Sequence, residues 1–424
     1  MSDSYSQLER TIARVLARAP FIKQFAKNTY SRLMYLKHKK AYDFKSELEV
    51  EKVVQDTSNE TFFGYFDKSP VSSLGYTLFH KTAIPTTKLP TEKATVQVCV
   101  CDDLGELVFE NDTSAYNWQQ GARAHWLDGD QFIFNDFDSS NEKYVSRIYS
   151  VSKKAQVQQY DYPVQDSFKD EYFLAINYRR LMALRPDYGY RNLPVSSSKE
   201  LEDTSSDGIW KIDIKTGESR LLISIDDVME VNGDEGFEDT THKLNHVIVS
   251  PSGEQFIFLH RYYIGKRRVD RLMLASADGK KIKTLATHGM VSHCFWADDK
   301  TILGYLRGPN DKDAYWLIDI ESGEFEHFAG GKLDKYGDGH PHVVGDWFIT
   351  DTYPDKARMQ YLILCNWKTG EVKGLGEFFH GFGYNGETRC DLHPRMSNDG
   401  KYIYFDSVFS GKRHLYRMKS PVYS

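Results

Sequence analysis

Long apolar runs are missing from this 424-residue chain. No stretch reaches the roughly 18 uninterrupted apolar residues that a spanning helix needs. The N-terminus also lacks the apolar core and small-residue cleavage site of a secretory signal. Cysteine is sparse. The five cysteines (Cys99, Cys101, Cys294, Cys365, Cys390) are odd in number and scattered, which argues against a disulfide framework and fits a reducing compartment. Cys99-Val-Cys101 has no second pair to complete a zinc site, so its thiols read as strand residues facing one side. Several catalytic signatures are absent: no Gly-x-Ser-x-Gly elbow, Walker loop or dinucleotide fingerprint stands in a suitable setting. No convincing carboxylate pair supports a glycoside hydrolase. The expected location is cytoplasmic, with a peripheral place at the inner membrane surface as an extension of that reading.

Charge is distributed unevenly. Residues 1–40 hold nine Lys/Arg against Asp3 and Glu9, a balance of +7, so a chain of net −6 carries −13 in its remainder. An acidic body argues against broad nucleic-acid binding. The basic segment reads as helix over residues 6–38. Leu8, Ile12, Val15 and Leu16 follow the 3.6-residue period, and Arg10, Arg14 and Arg18 form a cationic stripe. Such a helix suits peripheral contact with an anionic membrane, or packing on the body. The expected division is a helical extension over 1–45 and one body over 50–420.

Aromatics, at 14 %, are plentiful, and from about residue 50 they fall into short strands separated by polar turns. Seven strand cores recur at a spacing of mostly about 45–55 residues, from Tyr76–Phe79 to Tyr402–Phe405. A second echo follows several of them. Ile209 to Glu218, Tyr315 to Glu324 and Leu362 to Glu371 are alternating strands that each close in a Gly-Glu turn. Four-stranded units at this period predict an all-β, seven-bladed β-propeller. It should close by pairing Leu48–Val54 beside Leu415–Met418. A long insertion around 180–206 is expected at a channel mouth.

Histidines occupy one register of this repeat. His246, His293 and His393 each stand seven residues before a turn residue, at Gly253, Lys300 and Gly400. His340-Pro-His342 supplies two candidates in a further unit, and His125 lies nearby but offset. The same position on each innermost strand means the same radius, so these imidazoles should converge on the axis. Asp391, two residues before His393, shares a strand face with it. Histidines with a carboxylate and no thiolate favour Mn²⁺, Zn²⁺ or Fe²⁺. Arg389 and Arg395 flank this pair, and the insertion adds Arg179, Arg180 and Tyr190. Arginine forks and flat tyrosine rings suit an anionic sugar. Arg179, Arg180, Tyr190, Arg395 and His342 are therefore candidate substrate contacts.

Three segments together carry a resemblance: Arg389-Cys-Asp391-Leu-His393-Pro-Arg395, Ser292-His-Cys-Phe-Trp296 and Asn245-His-Val-Ile-Val-Ser-Pro251. They resemble the oligogalacturonate lyases, a family of seven-bladed propellers, and are similar to propellers that accompany bacterial surface-polysaccharide genes. The resemblance implies His246 as the base, His293 as the first ligand of a divalent metal, typically Mn²⁺, and His393 as the last. Asp391 stands where the family has another ligand histidine, and Thr388 or Glu387 where it has a glutamine. His340 joins the expected ligands by register, and Arg389 is the expected stabiliser of developing charge. The implied function is metal-assisted β-elimination on a uronate-containing glycan. A non-catalytic glycan-binding or assembly propeller in surface-polysaccharide biosynthesis is the alternative.

Overall fold

A computed structural model of the chain describes residues 20–423, apart from 57, 234–236, 238–239 and 266, with side chains from residue 29 onward. Seven antiparallel sheets, each built on consecutive strands, form a seven-bladed propeller. Blade 1 runs from Glu60 to Thr113, blade 2 from His125 to Tyr160, blade 3 from Asp166 to Ser224 and blade 4 from Thr241 to Gly289. Blade 5 runs from Val291 to His327, blade 6 from His342 to Phe379 and blade 7 from Arg395 to Lys419.

The ring closes as the sequence predicts. Glu51–Lys52 is the outermost strand of blade 7, opposite Arg417 and Tyr416. The Val53 N–H donates to the Leu415 carbonyl at 3.0 Å, and Arg417 pairs with Glu51 at 3.1 Å. A second N-terminal strand was not anticipated. Phe44–Ser46 adds a fifth strand to the outer edge of blade 6, so sheet pairing begins inside the segment expected to be extension.

The repeated Gly-Glu echo has a local cause. Asp213, Asp319 and Asn366 each accept backbone N–H groups two and three residues ahead through one side-chain oxygen. Gly217, Gly323 and Gly370 then take positive φ of 75°, 73° and 71°. The side chain fixes the turn, and only glycine enters that left-handed corner cheaply.

Faces of neighbouring blades bury apolar side chains against each other. Phe109 of blade 1 meets Phe132 and Tyr149 of blade 2 at centroid distances of 5.1 and 4.1 Å. All five cysteines are free and buried, as the scattered spacing implies.

Two additions flank the ring. The first helix, Pro20–His38, reaches blade 6 through Tyr35, whose ring lies 5.6 Å from Phe379 and 5.3 Å from Phe382. Leu33 and Leu36 remain exposed on it. The expected helical stretch before residue 20, with Arg10, Arg14 and Arg18, lies outside the described residues. Among the described residues no helix is long and apolar enough to cross a membrane. The second addition is the blade 3 insertion. Its helix Tyr178–Leu184 is capped by Asn177, which accepts the N–H groups of Arg179 and Arg180. Tyr178 stacks on Tyr190 at 4.2 Å, which fixes the turn Pro186–Tyr188 over the inner strands.

Candidate active site

Left-handed kinks within or next to the inner strands aim side chains at the axis. His246 and His393 have φ of 51° and 42°, Arg123 has 53°, and Gly64 takes the corresponding place in blade 1. In blade 4 the ladder bulges between Asn245 and Ile248, which turns His246 out of the strand's alternation. A non-glycine residue held there costs of order 1–3 kcal/mol, and such strain gathers at functional sites.

Four of the expected histidines meet. Ring centroids lie 5.8 Å apart for His246–His293, 4.1 Å for His293–His340 and 4.3 Å for His340–His393. Tyr65 fills the middle of this arc, 5.4 Å from His246 and 5.1 Å from His393. Its hydroxyl stands 2.7 Å from His246 Nδ1. His340, Asp391 and His393 bring one ligand atom each to within 4.8 Å of one another, close to the span that bonds of about 2 Å can bridge. His293 lies beside this trio rather than in it.

These residues fit a metal ion. His340 Nε2, His393 Nε2 and Asp391 Oδ1 are buried and have no hydrogen-bond partner among the described residues. Three such atoms, on residues whose ligand atoms gather within 4.8 Å, suit a bound cation. The opposite ring nitrogens are anchored. His340 Nδ1 lies 2.8 Å from Asp351, His393 Nδ1 2.9 Å from the Gly64 carbonyl, and His293 Nδ1 3.3 Å from Asp338. Anchoring Nδ1 fixes the tautomer and directs Nε2 inward. Asp351 serves two blades, because its second oxygen accepts the His393 N–H at 3.0 Å.

Electrostatics divide the group. Burial raises the Asp391 pKa, but Arg389 and His340 outweigh it, so its carboxyl stays ionised below the usual range. Burial also opposes a proton on His340, yet Asp351 and Asp391 more than offset this and lift it above the ordinary value. Burial and then His340 hold His293 and His393 low. His246 is pushed well below its ordinary value by burial and then by His293 and Arg261. Its surroundings thus disfavour a proton on His246, where the sequence suggested a base poised near neutral pH. Burial, followed by Tyr188 and Asp67, raises Tyr65 well above the ordinary phenol value.

Several expected substrate contacts are occupied elsewhere. Arg395 is fully buried and binds Asp406 at 2.9 Å and the carbonyls of His393 and Gly64, so it ties strands together. Arg180 is spent on Asp207 and the carbonyls of His242, Leu201, Glu200 and Asp203. Arg179 pairs with Glu200 at the surface. The Tyr190 hydroxyl accepts from Asn135 at 2.8 Å inside the protein. His342 bonds the Phe66 carbonyl at 2.7 Å, and burial pushes its pKa down to about 4. His125 is likewise internal, between the Arg123 carbonyl and Ser167. Arg395, Arg180, His342 and His125 share one reason: long polar side chains near a propeller axis are needed to satisfy backbone groups that the loops leave open. Arg389 does reach the site, held between Asp391 at 2.7 Å and Asp187 of the insertion.

Tyr65, Asp351 and Asp338 were missed by sequence reasoning. Tyr65 follows the inner strand of blade 1 in Phe63-Gly64-Tyr65-Phe66, and Gly64 at φ 117° was the available signal. Adding a Cβ there would bring it 2.7 Å from the Gln120 backbone, so only glycine permits the approach.

No family model matches the sequence, and neither does any curated protein. Solved structures do match. An oligogalacturonate lyase from Vibrio parahaemolyticus is similar over 90 % of this chain and 98 % of its own, at 15 % identity and a TM-score of 0.58. The propeller domain of the trilobed protease from Pyrococcus furiosus matches 84 % of this chain and 95 % of its own, at 8 % identity and a TM-score of 0.46. An acylaminoacyl peptidase from Pyrococcus horikoshii matches 82 % of this chain and 49 % of its own, at 11 % identity and 0.47. At such identities likeness speaks for fold alone, and the fold of this chain is the seven-bladed propeller that the oligogalacturonate lyase also has.

Proposed function

We propose that the protein is a metal-assisted lyase that cleaves a uronate-containing glycan by β-elimination. The observation that carries this reading is the trio of unpartnered ligand atoms on His340, Asp391 and His393 beside the His246–Tyr65 pair. His340, Asp391 and His393 would hold a divalent ion, with His293 next to them. Two imidazoles and a carboxylate suit Mn²⁺, and equally Fe²⁺ or Zn²⁺. The ion, when bound, supplies Lewis acidity toward the uronate carboxylate.

The chain's own groups account for the proton transfers. His246, neutral as its surroundings require, takes the proton from the carbon next to the carboxylate. The electron pair left on that carbon forms the double bond as the glycosidic oxygen departs from the neighbouring carbon. Tyr65, a phenol at working pH, gives its proton to that oxygen. His246 having taken the proton at Nε2, the 2.7 Å contact passes its Nδ1 proton to Tyr65, which leaves Tyr65 a phenol and His246 neutral in the other tautomer, reset by exchange with solvent. Arg389, fixed by Asp391 and Asp187, orients the carboxylate ligand and adds positive charge at the rim.

Incubation with uronate polymers and Mn²⁺, followed by the absorbance of unsaturated sugar, tests the reading. No unsaturated product from any acidic polymer would remove the lyase. A non-catalytic glycan-binding propeller is the second reading. It is favoured by the ion pairs Asp187–Arg389 and Arg191–Glu387, which tie the insertion to the blade 7 loop. Glycan binding without product distinguishes it.

A further inference from the structure

One face of blade 4 carries charge that this chemistry leaves unused. Lys243, Arg261 and Asp270 are direct partners across three adjacent strands, so they share a face. All three are buried, Lys243 completely. Asp270 is already engaged by Arg261, by Arg268 at 3.3 Å and by the Val291 N–H at 3.4 Å. Among the described residues Lys243 Nζ has no partner. Asn245, two residues along and on the same side, is 2 % exposed, and among the described residues neither its amide oxygen nor its nitrogen is bonded.

Arg185 of the insertion adds a third element. Its guanidinium lies 5.5 Å from the Tyr188 ring, which is itself 5.2 Å from the His246 ring. Its Nη2 pairs with Asp187 at 3.4 Å, while its Nε is buried and unpartnered among the described residues. Burial first, and then Arg261 and Arg185, push the Lys243 pKa down to about 6, so the free side chain is mostly an amine at neutral pH and takes up a proton when an anion is seated beside it. Cations here outnumber the carboxylates that face them. A buried ammonium without an acceptor is costly, and a well-placed anion relieves it. Asn245 offers one donor and one acceptor, which is what a sugar hydroxyl matches. The Tyr188 ring supplies a flat wall.

We propose that Lys243, Asn245 and Arg185 form a second acidic-sugar subsite that binds the carboxylate and a hydroxyl of the uronate next to the one undergoing elimination. This assignment rests on the lyase reading for its place along the glycan. Tyr188 joins Arg185 to His246, Lys243 and Asn245 precede His246 on the same strand, and His293, His340 and His393 continue from it around the axis.

Calorimetric binding of two probes to the full chain with Mn²⁺ tests it: trigalacturonate and its fully methyl-esterified, uncharged form. A hyaluronan hexasaccharide serves as a second acidic probe. Lys243→Met should weaken binding of an acidic probe by roughly 30-fold or more, because a buried charge loses its partner. It should leave binding of the ester unchanged. The same change replaces a buried, unpartnered amine by an apolar side chain, so the melting temperature should hold or rise. Asn245→Leu should weaken acid and ester alike. Unchanged acid binding in Lys243→Met overturns the subsite, as does a lowered melting temperature with acid and ester affected equally. No binding of either acidic probe by the unmodified chain overturns it too. Binding that depends on Lys243 with no product from any polymer keeps the subsite and removes the lyase. Product formation with an unchanged KM in Lys243→Met removes the subsite alone.

Discussion

The Tyr65 hydroxyl lies 2.7 Å from Nδ1 of His246, although the two residues belong to blades 1 and 4. The contact joins a neutral imidazole to a phenol that keeps its proton. Each can therefore do half of a proton exchange. Tyr65→Phe should lower kcat by roughly 10²–10⁴-fold, and His246→Ala should do the same. The double variant should be little worse than either single one, because the pair acts as a unit. Metal content should be unaltered in all three. Steady-state kinetics with elemental analysis checks this, and fully additive losses would break the pairing.

Asp351 holds two of the three candidate ligands without being one of them. One oxygen accepts from His340 at both its backbone N and its Nδ1, at 2.9 and 2.8 Å, and the other holds the backbone of His393. Asp351→Asn keeps the shape and loses the charge. Mn²⁺ affinity should fall by about 10–100-fold, the usual effect of losing such a partner. His340→Ala or His393→Ala should abolish stoichiometric binding. A titration that gives the same affinity for Asp351→Asn as for the parent chain would show that Asp351 does not organise the site.

The histidine register was legible because it reflects backbone geometry. A repeat length places equivalent residues on one circle, and left-handed corners at His246 and His393 turn them inward. Tyr65 escaped because blade 1 places no histidine there, so nothing in the repeat flagged it. Arg180 and Arg395 misled for the opposite reason. Composition shows an arginine beside a site but not whether carbonyls and carboxylates have already claimed it, and here Asp207 and Asp406 have. Ring closure was read correctly from leftover strand pattern. The strand at Phe44–Ser46 was hidden, because three residues are too few to establish an alternation.

Buried neutral histidines set the acid limit of stability. Burial holds His80, His342 and His414 at about 4, while the unfolded chain titrates near 6.5. The unfolded state therefore binds more protons between those values, and stability falls as pH drops from about 6.5 to about 4. His340, whose pKa is raised, acts in the other direction. Its contribution is complete below 6.5 and fades as pH rises through its folded value. The depressed residues outnumber it, so the melting temperature should decline on acidification through this window. His80→Phe should flatten part of that decline, by up to roughly 3 kcal/mol at pH 4. Thermal melts across pH give the answer, and a profile unaffected by the substitution would dissociate His80 from the transition.

Closure makes a sharper demand on the N-terminal segment. Removing residues 1–40 takes away the first helix and its contacts with Phe379 and Phe382, all at the outer edge of blade 6. Removing residues 1–56 also takes away the strand Phe44–Ser46 on blade 6, the strand Glu51–Lys52 on blade 7 and the Val53 bond to Leu415. Leu48 and Val50 would leave the core shared by blades 6 and 7, and Val53 and Val54 the one beside blade 1. Four partly buried aliphatic side chains at about 1 kcal/mol each, with one or two ladder bonds, make a loss of roughly 5 kcal/mol. In a chain of this length that is a drop of about 5 °C or more in melting temperature. Deletion of 1–40 should shift it by a fraction of that. The larger deletion also exposes the edge of His414–Lys419, so it should aggregate on heating where the smaller does not. Equal melting temperatures for the two truncations would mean that blade 7 closes the ring without its N-terminal strand.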